Sequence, residues 1–150
     1  MLTLVEKVHS SATLPVTDQI ALTSEERQRS LYRCQSQQGH PIRLNLKRGT
    51  ILSNGDLLSS QADENGNVTY VLVISKPEPV LTVTAAHPLQ LLKAAYHLGN
   101  RHVPLELTES YLRLAPDPVL RAMLEKMSVT VQEAIAPFHP ETGAYHHHHD

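Results

Sequence analysis

Two prolines within Ser75-Lys76-Pro77-Glu78-Pro79 constrain the fold more than any other feature of this chain. Each ring fixes φ and removes an N–H, so the pair interrupts hydrogen-bonded structure and stiffens the backbone. The break falls near the middle of 150 residues, and each half must then build its own core. Composition agrees: 41% of the residues are hydrophobic, yet there is no Trp and one Phe. Two small aliphatic cores suit that inventory better than one large one. We therefore expect an N-terminal domain over residues 1–75, a linker over 76–79, a second domain over 80–138 and a flexible histidine-rich tail over 139–150.

Turn residues punctuate the first half. Gly39-His40-Pro41, Ser53-Asn54-Gly55-Asp56 and Asp63-Glu64-Asn65-Gly66-Asn67 separate segments of strand length. Leu2 to Val8 alternates in part and Ile42 to Leu46 alternates cleanly, as half-buried strands do. Thr23-Ser24-Glu25-Glu26 has the form of a capping box, but Arg27-Gln28-Arg29-Ser30 offers no apolar stripe. A turn leading into a strand over Leu31 to Gln35 follows, and Val68 to Ile74 is the last apolar run. The first domain reads as small and all-β.

Beyond the prolines the pattern changes. Val80 to Thr84 predicts a strand. Pro88 suits the first position of a helix with His87 at its N-cap, and Leu91, Leu92, Ala95 and Leu98 recur as its buried stripe. Gly99 is placed to supply a left-handed C-terminal cap. Val103 to Leu107 and Tyr111 to Leu114 read as short strands. Asp117-Pro118 opens a second helix with Leu120, Met123, Leu124 and Met127 inward, and Val129 to Ile135 is a final strand. The order βαββαβ predicts a ferredoxin-like domain, making the whole chain α+β. Ser128 stands where a helix-ending glycine would be natural, and a left-handed conformation there would cost about 1 kcal/mol.

Net charge is −2 with a sequence pI near 6.5, which gives nucleic acid no basic surface to bind. No apolar run approaches the ~18 residues that span a bilayer, and Met1 to Lys7 lacks the plan of a signal peptide. Cys34 is the only cysteine, so no internal disulfide can form, and packing is its expected role. A soluble, cytoplasmic chain is expected. There is no nucleophile–base set, phosphate loop or CxxC cluster, so catalysis is not expected.

The remaining chemistry is imidazole. Among ten histidines, His102 follows the helix end and His146, His147, His148 and His149 close the chain before Asp150. Neutral imidazole is the commonest metal ligand, but transition ions want about four to six donors. One histidine is a poor site; two related by a two-fold axis, with mobile histidines nearby, make an acceptable one. His97 lies five residues before His102, off the helix face they would share, which favours orientation over ligation. His9, His40 and His87 read as surface residues, and His139 could join the tail in binding.

Ala94-Ala95-Tyr96-His97-Leu98-Gly99-Asn100-Arg101-His102-Val103-Pro104-Leu105 resembles the signature of the UreE urease accessory proteins, which are nickel metallochaperones. Pro137 to Tyr145, Leu22 to Arg27, Lys47-Arg48-Gly49-Thr50 and Asn54-Gly55-Asp56 match other segments of that family in order and spacing. The resemblance implies a homodimer that holds Ni(II) as cargo between two His102 side chains, with His146 to His149 completing the shell. It also implies partners: the UreG GTPase and the urease apoprotein complex, contacted through the N-terminal domain. Leu114-Ala115-Pro116-Asp117-Pro118 carries none of the histidines that some relatives use for an extra copper site. Zn(II) or Cu(II) binding in vitro stays open, because imidazole donors do not select nickel. A protein-binding assembly scaffold and a general zinc or copper buffer are the alternative functions.

Overall fold

Alternation builds the first unit. Strand β1 (Leu2–Lys7) buries Leu4, and β4 (Pro41–Asn45) buries Ile42 and Leu44 while its other side chains face out. The two run parallel, with Leu4 opposite Leu44. Strands β2 (Val16–Leu22), β3 (Leu31–Gln35), β5 (Leu57–Ser60) and β6 (Tyr70–Ser75) complete a six-stranded sheet in the order β2-β6-β5-β1-β4-β3. Its core is aliphatic, with Ile20, Leu22, Leu52, Leu58, Val71 and Val73 beside the residues already named. Strand β3 has the bounds expected from its pattern. Strands β2 and β5 carry no clean alternation, and their pairing with β6 rather than local sequence defines them.

The capping box forms. Thr23 N–H donates to Glu26 Oε1 at 2.8 Å and Glu26 N–H to Thr23 Oγ1 at 3.3 Å, and a short 3₁₀ helix, Glu26–Gln28, follows. Arg27, which breaks any apolar stripe, is nonetheless buried, and its guanidinium donates to Leu22 O at 2.9 Å. Burial of a charged head is tolerable because backbone carbonyl oxygen replaces water there. Cys34 packs partly buried against the core, and that burial pushes its thiol pKa up.

The structure, a computed structural model, describes residues 1–9 and 13–142. Chain contacts divide it into Met1–Lys76 and Pro77–Asp150. The second unit runs β7 (Glu78–Thr84), α1 (Pro88–Asn100), β8 (Glu106–Leu107), β9 (Leu112–Leu114), α2 (Pro118–Glu125), β10 (Thr130–Ala136). Its sheet order, β10-β7-β9-β8, has every neighbour antiparallel. That is the ferredoxin-like arrangement the element order implied. Strand β7 starts two residues earlier than the pattern predicts, with Pro79 opposite Ile135. Because β9 reaches only Leu81–Val83, Pro79 has a neighbouring strand on one side, where a missing N–H is tolerated.

Asp117 caps α2 as expected, its Oδ1 accepting from the N–H groups of Val119 and Leu120 at 2.9 and 3.0 Å. Leu124 is fully buried beneath that helix, with Leu120, Met123 and Met127 packed around it. Ser128 does not adopt the left-handed conformation considered for it; among described residues other than glycine, only His102 does.

Candidate metal centre

The end of α1 sets the geometry of His102. Arg101 caps the helix, His102 N–H donates to Gly99 O at 3.0 Å, and Val103 N–H donates to Leu98 O at 3.2 Å. These are the paired bonds of a Schellman motif, in which the chain reverses and the residue after the cap is left-handed. Here that residue is His102, at φ 57°. Gly99 does not supply the left-handed cap. It lies inside the helix, and a Cβ added to it would meet nothing within 4 Å. The helix runs farther than glycine alone predicts because Val103 folds back to pack in the same core as Leu98. A left-handed non-glycine residue costs about 1–2 kcal/mol, and such strain concentrates at functional positions.

Nor does His102 begin a strand. The paired part of the expected Val103–Leu107 strand is only Glu106–Leu107, since Pro104 has no N–H to give a ladder. The helix end alone therefore holds the imidazole out, and the His102 side chain is exposed. Carbonyl groups at a helix C-terminus carry roughly half a unit of negative charge, which favours a cation at this end of α1.

Beside His102, α1 presents an apolar stripe to solvent. Leu91, Ala94 and Leu98 face the core, whereas Leu89, Leu92 and Tyr96 are 56%, 66% and 65% exposed. Leu92 thus leaves the buried stripe assigned to it; at 100° per residue it falls with Leu89 and Tyr96. His97 is exposed too, its ring edge-on to Tyr96 at 5.4 Å.

Among the described residues, no three His, Cys, Asp or Glu side chains converge as a metal cluster. His102 is a single donor. His146, His147, His148 and His149 lie outside the described residues. His87 precedes α1 without a side-chain cap bond, and the His40 Nδ1 lies 3.3 Å from Asp18 in the other unit. His139 is exposed, and its backbone N–H donates to Glu106 Oε1 at 2.9 Å.

Nothing in the sequence singled out Glu106. It is 7% exposed, and register explains its partners: it pairs with Arg113, which pairs with Thr82. Tyr111 OH donates to Glu106 Oε2 at 3.1 Å and Arg113 Nη1 lies 3.8 Å from the same oxygen. The only local signal was a charge inside the apolar run Val103 to Leu107.

Residues 78–150 match the family model for the C-terminal domain of UreE urease accessory protein, and residues 3–71 match the one for its N-terminal domain. The chain is 50% identical over 149 residues to the urease accessory protein UreE of a Nostoc species, covering 99% of both chains. It is 51% identical over 156 residues to that of Microcystis aeruginosa, covering 100% of this chain and 96% of the other. Against that of Thermosynechococcus vestitus it is 52% identical over 129 residues, or 86% and 87% of the two chains. Fold and matches together define a urease accessory protein, a chaperone and not an enzyme. The chain belongs to the UreE family.

Proposed function

We propose that this chain is a nickel metallochaperone which binds Ni(II) as cargo and delivers it for assembly of the urease active site. The observation that carries the reading is His102, exposed, left-handed and fixed at a helix end next to an apolar stripe. Apolar residues sharing one exposed helix face mark an interaction surface. A second copy of the chain docked there about a two-fold axis brings two His102 imidazoles toward one ion. His146 to His149 then supply further donors, and imidazole sets suit nickel, though they also accept Cu(II) and Zn(II). Replacing imidazole donors one at a time permits release by stepwise exchange to the UreG GTPase and the urease apoprotein complex, which the first unit contacts. A cytoplasmic location accords with the absence, among the described residues, of any helix long and apolar enough to cross a membrane.

Calorimetric titration of Ni(II) into the wild type and His102→Ala tests the reading. One tight ion per two chains is expected, lost in the variant while its circular dichroism and dimeric mass stay unchanged. Tight binding retained by His102→Ala overturns the assignment.

A further inference from the structure

One edge of the first sheet is open. Strand β3 ends the order β2-β6-β5-β1-β4-β3, so only one of its sides has a neighbouring strand. Ser36 N–H donates to His40 O at 2.8 Å and Leu46 N–H to Ser30 O at 2.9 Å. Antiparallel pairs alternate between bonded and non-bonded. Between those two bonded pairs, Tyr32 and Cys34 therefore bond β4, while Leu31, Arg33 and Gln35 turn their backbone N–H and C=O groups to the open side. Among the described residues nothing meets them there. The same strand carries an uncompensated charge. Arg33 stands opposite Arg43 of β4 in a non-bonded pair, where side chains come closest, and like charges directly opposite are unfavourable. Both residues are exposed, and among the described residues neither has an ion pair, side-chain hydrogen bond or ring contact. Their register neighbours on that face, Leu31, Gln35, Pro41, Asn45 and Thr3, include no acid. The net charge of −2 thus conceals a local surplus of cations. A charge on an edge strand guards against edge-to-edge aggregation, and Arg33 alone would serve that end. Arg43 would not, because β4 lies inside the sheet between β1 and β3.

We infer that the open edge of β3 docks an extended acidic segment of a partner protein, which adds as a further strand and sets a carboxylate opposite Arg33. The backbone groups of Leu31, Arg33 and Gln35 supply the ladder bonds, as in recognition by strand addition. Strands lie about 4.8 Å apart, a spacing that an arginine side chain can bridge. The carboxylate therefore meets Arg43 as well as Arg33, and a charge-assisted bond to each relieves their repulsion. Leu31, 67% exposed and two residues from Arg33 on the same face, suits an apolar residue two positions from the acid. The inference rests on the reading that the first unit contacts partner proteins, and adds where and by what chemistry.

The test follows the amide signals of the full chain by NMR as a short synthetic peptide of alternating Val and Glu is added. Slower exchange at Leu31, Arg33 and Gln35 is expected, with affinity at least about tenfold lower when Arg33→Glu and Arg43→Glu are combined. That charge-reversed chain should take the matching peptide of Val and Lys instead. In an added strand, alternate residues point their N–H groups at β3 and into solvent. N-methylating the Val and Glu peptide at one alternating set of residues, then at the other, should therefore abolish binding in one case only. Any other pattern overturns strand addition, and no response at the three amides up to about 1 mM peptide overturns the inference. A single-stranded oligonucleotide that binds the same edge more tightly than the peptide overturns the choice of partner. The charge-reversed chain should also bind the urease apoprotein complex at least about tenfold more weakly than wild type. Equal binding by both overturns the inference and leaves the partner reading standing; binding by neither overturns both. If the charge-reversed chain does not fold, Arg33→Gln with Arg43→Gln removes the same charges, and the same comparisons decide.

Discussion

Asp18 in the first unit and Glu106 in the second are buried almost equally, 8% and 7% exposed, and they serve opposite ends. Asp18, on edge strand β2, takes N–H bonds from Gln19 at 2.8 Å and Gln38 at 3.3 Å, so it ties that strand to the turn between β3 and β4. Its partners all lie in the unit that it closes. Glu106 instead reaches out of the ladder to a segment that continues into the tail. Surface tells the same story. Exposed Leu31 and Val16 sit singly on separate strands, whereas Leu89, Leu92 and Tyr96 share one helix face ending near His102. The hydrogen bonds of Asp18 stay inside the first unit; the second presents an apolar stripe and a left-handed histidine outward.

The sharpest way to break this contrast is to charge the stripe. Leu92→Glu is expected to weaken self-association by at least about 100-fold, the scale of losing a central interface anchor. The monomer's own thermal transition should hardly move, since Leu92 is 66% exposed. Sedimentation velocity reads the first effect and calorimetry the second. A dimer unaffected by the charge removes the stripe from the interface.

Asp18→Asn probes the closed unit. Burial pushes the Asp18 carboxyl up, but the Ser36 hydroxyl, the Gln19 and Gln38 N–H groups and His40 together hold it below its ordinary value of 3.8. A folded-state pKa lower than the unfolded one adds stability that is fully present above that value. The contribution is lost as pH falls through the depressed folded value. The substitution should cost about 1–3 kcal/mol at neutral pH, the penalty of degrading a buried hydrogen-bonded group. It should also flatten the acid limb of the stability curve. Urea unfolding between pH 2 and 7 measures both, and an unchanged acid limb denies Asp18 this role.

The smallest effect expected is of opposite sign. His102→Gly relieves the left-handed strain and should leave stability equal or raise it by up to about 1 kcal/mol, while abolishing tight nickel binding. Destabilisation on urea unfolding would show that the imidazole packs rather than waits for a ligand.

Local chemistry accounts for much of what was legible. Pro77 and Pro79 marked the division, Asp117-Pro118 a helix start, Thr23 and Glu26 a capping box, and alternation the strands around Leu44. Each acts within a few residues, through a missing N–H, a fixed φ or a side chain that bonds its own backbone, and so can be read in the order of the chain. The stretch around His102 was singled out for a different reason, its likeness to a family signature.

What only the tertiary structure decided depends on residues distant in sequence. Gly99 is the better left-handed residue, yet the reversal falls on His102, because where α1 stops depends on Val103 reaching the core beside Leu98. Leu92 is as apolar as Leu91, but the core lies on one side of the helix only. Glu106 takes its meaning from Arg113, Tyr111 and His139, and strands β2 and β5 take theirs from β6. Sequence determines which conformations each short stretch can adopt at low cost. Packing and register select among them, since burial and hydrogen-bond satisfaction are settled between residues that meet only after the chain has folded.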